Sequence, residues 1–131
     1  MDTGPVHPAA EALKVVLEAM PGAAGDPRGP PRAREPYSII FKVMGKMFAI
    51  LGVRGPSAPF VILKSDPHLA EILREQYAGV GHRSHLDRRF WIAVDLDADV
   101  PADEVERLVG QSYALVCEGL TRKQQAELAQ R

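Results

Sequence analysis

The 131-residue sequence has almost no cysteine, no long uninterrupted apolar run and almost no net charge. With a single Cys, neither an intrachain disulfide nor a cysteine-based zinc site can form. The longest apolar stretch, YSIIFKVMGKMFAILGV, is interrupted by Lys42 and Lys46, and it is too short and too charged to cross a bilayer. The opening residues, MDTGPVHPAA, have an acid at Asp2 and no apolar core, unlike a secretory signal. We therefore expect a cytoplasmic protein without a membrane partner.

The net charge of −1 hides an uneven distribution along the chain. Residues 1–27 carry one base and four acids, residues 28–91 carry 11 bases and five acids, and residues 92–131 carry four bases and eight acids. A basic middle suits a partner rich in phosphate, but it is equally typical of a sheet-rich segment with a solvated face. The length suits one compact domain over residues 1–131.

Helical periodicity is clearest in three segments. Apolar residues recur at helical spacing in residues 8–20, in residues 65–79, and between Pro101 and Gly119, and a last helical piece follows Thr121. In the second segment Asp66 is a good N-cap and Pro67 suits the first helical position. Its buried stripe is expected to contain Leu69, Ile72 and Leu73.

The strands are indicated by runs of β-branched and aromatic residues. These are YSIIFKV (37–43), KMFAILGV (46–53), FVILK (60–64) and RFWIAVDL (89–96), with a short extended segment at 82–86. Met44 and Gly45 predict a tight hairpin between the first two strands. Residues 21–36 hold five Pro and three Gly, and we expect a flexible linker loop there.

The predicted order is therefore α-β-β-β-α-β-β-α. Short connections between the first three strands indicate an antiparallel meander. The fold class is α+β, with two layers and the helices on one face of an antiparallel sheet.

Five segments, in this order and spacing, resemble the YjbR/MmcQ family: FKVMGKMFAIL, LKSDPHLAEILREQYAGV, SHLDRRFW, VPADEVERLVGQSYALV and GLTRKQQAEL. The resemblance covers residues 8–129. It implies a secretion-chaperone-like or CyaY-like α+β fold, and it implies DNA binding, the role commonly given to the family. The sequence departs from the family at Asp87 and Phe90, where Asn and His are usual, while Arg88 and Arg89 keep the positive charge.

The basic middle supplies the candidate binding residues. Arg and Lys on strands and hairpin tips can grip the phosphate backbone with little reading of sequence. The set is Lys42, Lys46, Arg54, Lys64, Arg83, His85, Arg88 and Arg89. The alternatives are a solvated strand face, or a protein-interaction or chaperone-like module that uses the sheet. We expect a monomer. In SHLDRRFW, either Phe90 or Trp91 is expected to anchor the strand in the core, and the other to be more exposed.

No residue set in the sequence forms an active site. The acidic run DLDADVPADEVE has the spacing of a calcium loop, but Val100 stands where that loop requires Gly. We expect Cys117 to be a small buried apolar residue, and Ser112 and Tyr113 to act in packing and hydrogen bonding. We expect no metal, no cofactor and no enzymatic activity.

Overall fold

Each predicted helix and strand has a counterpart in the computed structural model, which describes residues 6–29, 36–83 and 85–130. Within those residues, four helices accompany a six-stranded antiparallel sheet. The elements are α1 (Pro8–Glu18), β1 (Ala23–Arg28), β2 (Ser38–Val43), β3 (Lys46–Gly52), β4 (Phe60–Lys64), α2 (Pro67–Gln76), β5 (Val80–Gly81), β6 (Trp91–Asp95), α3 (Ala102–Glu118) and α4 (Arg122–Ala129). The strands lie in the order β1-β2-β3-β4-β6-β5. The α+β class is confirmed.

Local signals set the helix starts and the central hairpin. Asp66 caps α2, because its carboxylate accepts from the backbone N–H groups of His68 and Leu69. The β2–β3 turn is made by Met44 and Gly45, which have φ of 49° and 81°. Positive φ at both positions matches the twist of the flanking strands, so the predicted hairpin is confirmed.

The core lies between the sheet and the helices. On β2, Ile39, Phe41 and Val43 alternate toward the core. The other buried residues come from α1, α2, α3 and the remaining strands: Ala10, Leu13, Leu17, Leu51, Val61, Leu63, Leu73, Ile92, Val94, Val105, Leu108, Val109 and Val116. The helices therefore cover one face of the sheet. Within the described residues no helix is both long and apolar enough to cross a membrane.

Ser112 fixes the longest helix, α3, to the sheet. Its hydroxyl is fully buried, donates to the carbonyl of Phe48 at 2.5 Å, and accepts from the backbone N–H of Lys64 at 2.8 Å. The β3–β4 ladder ends at Ala49 and Leu63, one pair before these two residues. A side chain of the helix thus bridges two strands where their own pairing stops.

Three expectations were wrong. Residues 23–28 of the expected loop form strand β1, which pairs with β2 at the edge of the sheet. Pro27 has no N–H to donate, and an edge strand tolerates this. Residues 30–35 of that loop lie outside the described residues. The short strand is Val80–Gly81 rather than 82–86. Ile72 is 46% exposed, because α2 turns Ala70 and Leu73 to the core instead.

Candidate nucleic-acid interface

The face of the sheet turned away from the helices, here the helix-free face, is defined by strand register. One row crosses all six strands, through Asp26, Ile40, Ile50, Ile62, Ala93 and Gly81. Beside it runs a second row of Arg28, Ser38, Gly52, Phe60 and Asp95. On the opposite side of the central row, still on the same face, lie Lys42 of β2 and the cross-strand pair of Lys64 on β4 and Trp91 on β6. The helix-free face therefore has a largely apolar centre with charged residues around it.

Trp91 belongs to this face and not to the core. Ile92 and Val94 point into the core, so alternation along β6 turns Trp91 outward, where it is half-buried. Phe90, before the strand, is 37% exposed. The expectation that one of the two aromatic residues anchors the strand in the core was wrong, because neither belongs to the core cluster. The expectation that one is more exposed than the other is confirmed.

The turn that leads into β6, here the 87–91 turn, is held from two sides. The carboxylate of Asp87 accepts from the backbone N–H of Arg89 at 2.9 Å and from its guanidinium at 2.7 Å. These bonds favour the charged carboxylate and lower the pKa of Asp87 to about 2. Arg74 of α2 donates to the carbonyls of Arg88 at 2.7 Å and Trp91 at 2.9 Å. Burial lowers the pKa of the half-buried Arg74, and the charge of Arg88 adds to this effect.

At the other end of β4, a second set of side-chain contacts holds Arg83 in place. The ring of Phe60 lies directly over Gly52, where an added Cβ would be 2.1 Å from the ring. The Arg83 guanidinium lies 5.4 Å from the centre of that ring and pairs with Asp95. It also donates to the carbonyl of Ser57 at 3.1 Å. Arg83 is thus fixed at the border of the helix-free face with its charge largely compensated.

The structure brings together only part of the predicted binding set. Lys42 and Lys64 lie on the helix-free face, Arg83 lies at its border, and Arg88 and Arg89 lie on the adjoining turn, where both are exposed. His85 is also exposed. Two residues are placed differently. Lys46 donates to the carbonyl of Gly119 at 3.2 Å, on the helix side, and Arg54 is half-buried and donates to the carbonyl of Pro36.

The bases on this face differ in how far they are neutralised. Arg83 pairs with Asp95 and Arg89 with Asp87. In residues 6–29, 36–83 and 85–130, by contrast, the side chains of Lys42, Lys64 and Arg88 form no ion pair. These three carry the positive charge that is open to a ligand.

Charge is separated between the two layers. The helix-free face and the 87–91 turn together carry six bases and three acids: Arg28, Lys42, Lys64, Arg83, Arg88 and Arg89 against Asp26, Asp87 and Asp95. The four helices carry nine acids and five bases. An anionic ligand is therefore attracted to the sheet side and repelled from the helix side.

Sequence reasoning missed Phe60 and Arg74. FVILK contains only apolar residues before its Lys, so no alternation shows that Phe60 lies on the open face. Arg74 is a single base on an amphipathic helix, and its contacts to residues 88 and 91 depend on tertiary structure.

The other candidates have structural contacts. Asp99 accepts from the backbone N–H groups of Ala78 at 2.8 Å and Gly79 at 2.7 Å, and these bonds lower its pKa. Among the described residues no group of three or more His, Cys, Asp or Glu is placed to hold a metal ion. The Tyr113 hydroxyl donates to the carbonyl of Pro21 at 2.5 Å. Burial, with a hydrogen bond to Cys117, raises the pKa of Tyr113 to about 12.

Cys117 is half-buried against the core, and Ser112 and Tyr113 have the packing and hydrogen-bonding contacts that we expected of them. The ring of Tyr113 packs edge-on against Phe48, with 5.4 Å between ring centres. His82 is hydrogen-bonded to the carbonyl of Leu86 at 2.6 Å. These groups stabilise the fold through their contacts.

These features define a small α+β domain with one open, net-basic sheet face. The YjbR family profile matches residues 18–115, and the chain belongs to the YjbR family. It is 30% identical over 91 residues to the uncharacterized protein YbdF of Escherichia coli O157:H7, which covers 69% of this chain and 73% of that protein. It is 42% identical over 55 residues to the uncharacterized protein YjbR of Escherichia coli strain K12, which covers 42% of this chain and 47% of that protein.

Two crystal structures have a similar fold. A Deinococcus radiodurans protein described as a DUF419 domain superposes with a TM-score of 0.77 at 26% identity, over 91% of this chain and 86% of that one. A Pseudomonas syringae protein superposes with a TM-score of 0.63 at 22% identity, over 80% of this chain and 96% of that one. The second likeness concerns the fold alone.

Proposed function

We propose that the protein is a small cytoplasmic module, monomeric and without a cofactor, that binds the phosphate backbone of DNA through the helix-free face and the 87–91 turn. The separation of charge carries this proposal, because six of the bases lie on or beside one face while the helices are acidic. Contacts to phosphate supply most of the affinity of non-specific DNA binding.

The main contacts are assigned to Lys42, Lys64 and Arg88, whose charges are open. Arg83 and Arg89 contribute less, since each already has a carboxylate partner that a phosphate would have to displace. Base readout is expected to be weak, because within the described residues this face carries no Asn or Gln, and the guanidinium groups of Arg28, Arg83 and Arg89 already pair with carboxylates.

We infer that the protein acts as a binding module and not as an enzyme. A strongly perturbed pKa marks a candidate functional group when that group lies in a cleft, whereas structural hydrogen bonds and ion pairs also shift pKa values. Here the shifts have structural causes. Asp87 is held by Arg89, Asp99 accepts two backbone N–H groups, and Tyr113 is raised by burial.

Fluorescence anisotropy of labelled DNA over a range of salt concentrations tests the proposal. Log K should fall linearly with log salt, and a Lys42→Gln/Lys64→Gln/Arg88→Gln variant should bind more weakly with a slope that is shallower by about 2 to 3, near one unit per lost contact. No binding by the wild type at low salt would remove the proposal.

A matched control variant separates the effect of where positive charge is removed from the effect of how much is removed. The variant Lys14→Gln/Arg122→Gln/Lys123→Gln removes the same charge from α1 and α4. It should keep the salt slope of the wild type. An equal loss in both variants would mean that net charge, and not this face, governs binding.

A second candidate function is a protein-interaction or chaperone-like module. The central row favours it, because Ile40 and Ile50 are only half-buried on a face that none of the four helices covers. Such a module should suppress light scattering by a thermally unfolded client protein. That activity should survive loss of Lys42 and Lys64 and should fall in an Ile50→Glu variant.

A further inference from the structure

The shape of the helix-free face restricts the kind of nucleic acid that fits it. Six strands spaced about 4.8 Å apart span about 24 Å, and the major groove of B-DNA is about 12 Å wide. None of the four helices lies on this face, so the described structure places no helix that could enter a groove from it. Undistorted B-form DNA would meet the flat of this face along its backbone, whereas a single strand can lie flat across it.

An aromatic side chain lies beside open positive charge at one end of the face. Trp91 and Lys64 are paired residues of β6 and β4, so their side chains stand about 5 Å apart on the same side of the sheet. Arg88 lies three residues earlier, in the turn that Arg74 and Asp87 hold in place. A base stacked on the indole would bring its phosphates within reach of the Lys64 ammonium and the Arg88 guanidinium.

A second planar surface lies at the other end of the same two strands. Arg83 covers the ring of Phe60, and that ring covers Gly52, so a flat guanidinium is fixed at the border of the face. Guanidinium planes, like aromatic rings, stack on unpaired bases. Phe60 and Lys64 are four residues apart on β4, a distance of about 13 Å, so one short oligonucleotide would reach both surfaces.

We propose that the nucleic acid bound by this face is single-stranded, with one base stacked on Trp91 and its phosphates on Lys64 and Arg88. This inference rests on the proposed phosphate-binding function and deepens it by naming the class of substrate. Bases in a duplex are already stacked on their neighbours and cannot reach the indole without being unpaired. Apolar Ile40 and Ile50 add a surface on which further unpaired bases can lie.

Trp91 is the only tryptophan in the chain, so its fluorescence reports directly on this site. We would titrate the full-length protein at low salt with an oligothymidylate of about 12 nucleotides, with its RNA counterpart, with a duplex of the same length, and with inorganic polyphosphate. The single strands should quench Trp91 and bind at least about tenfold more tightly than the duplex. Polyphosphate should compete at low salt without quenching.

Variants connect the affinity to the stacked base. Trp91→Leu should weaken binding of labelled oligothymidylate by about tenfold or more, whereas Trp91→Phe should retain most of the affinity because a ring remains. Neither variant should change the salt slope, since no phosphate contact is removed. Near-wild-type circular dichroism and melting temperature of Trp91→Phe would show that the fold is kept.

The outcomes separate the two proposals. Equal or tighter binding of the duplex, without quenching of Trp91, would overturn the single-strand inference and leave phosphate binding intact. Full retention of affinity in Trp91→Leu would also overturn it. No binding of any probe at low salt would overturn the proposed function, and the inference with it. A difference between the DNA and RNA strands would show whether the 2′-hydroxyl is recognised.

Discussion

The substitution Ser112→Ala tests how strongly the helix layer is attached to the sheet. Its buried hydroxyl is the hydrogen-bond partner of both the carbonyl of Phe48 and the backbone N–H of Lys64. Ser112→Ala slightly raises helix propensity and removes one oxygen, but it leaves both main-chain groups without their partner. A buried polar group that loses its partner costs about 1–3 kcal/mol. The two strands could recover part of this by bonding directly, so we expect a loss of about 2–4 kcal/mol in the free energy of unfolding.

For a domain of this length, a loss of that size lowers Tm by roughly 8–16 °C. Urea denaturation followed by circular dichroism gives the free energy, and differential scanning calorimetry gives Tm. Tyr113→Phe is the control on the next residue, because the hydrogen bonds that it removes, to the carbonyl of Pro21 and to Cys117, are less buried than those of Ser112. It should cost about 1 kcal/mol or less. A Ser112→Ala variant that is no less stable than Tyr113→Phe would refute the role given to the buried hydroxyl.

Three further predictions follow from single positions. Gly52→Ala should destabilise the protein by about 1–3 kcal/mol, because the new Cβ would be 2.1 Å from the ring of Phe60, and urea denaturation would show the loss. Gly110→Ala on α3, where an added Cβ meets nothing within 4 Å, should instead stabilise the protein by about 0.5–1 kcal/mol in the same assay. A loss of stability would show that the added Cβ does not lie in open space. Asp99→Asn should lower Tm at pH 7 and make Tm fall less steeply toward pH 3. The lowered pKa of Asp99 gives stability that is present above the unfolded pKa near 3.9 and is lost as pH falls through the folded value. Equal pH profiles would show that the carboxylate does not matter.

The elements that could be predicted from sequence have local causes. Asp66 followed by Pro67 specifies the start of α2 within four residues, and the Met44–Gly45 pair permits the positive φ that a two-residue hairpin needs. Thr121 likewise forms the expected cap of α4, in a capping box with Gln124. In each case the hydrogen bonds or torsions that fix the element lie within a few residues of sequence.

The elements that were missed depend on distant partners. β1 contains Gly25 and Pro27, which locally favour a loop, and it becomes a strand through its pairing with β2 across the intervening segment. Trp91 was ambiguous for a related reason. The segment from Trp91 to Val94 is apolar at every position, so the sequence shows no alternation, and only the position of Ile92 in the core turns Trp91 outward.

The candidate site was predictable in composition but not in effective charge. Arg83 and Asp95 are 12 residues apart and lie in separate segments, and nothing in their spacing indicates that they pair. Lys46 shares a hairpin with Lys42, yet its side chain reaches Gly119 on the helix side. Sequence reasoning therefore cannot tell which of the named bases are paired, and within the described residues tertiary contacts leave Lys42, Lys64 and Arg88 without an ion-pair partner.

The linear charge pattern nevertheless has a structural counterpart. The acidic ends of the chain contribute α1 and α3 to the helix layer, and the basic middle contributes β2, β3 and β4 to the sheet. A two-layer fold with the helices on one side thus converts separation of charge along the sequence into separation across the molecule. Under the proposed function, a nucleic acid that approaches the helix side would be repelled, whereas one that approaches the sheet side would meet the open bases first, and this would orient the encounter before any contact forms. Because α2 also comes from the basic middle but carries two acids and one base, the orientation depends on the sheet residues themselves. Neutralising Lys42, Lys64 and Arg88 should therefore weaken it, whereas the same change on α1 and α4 should not.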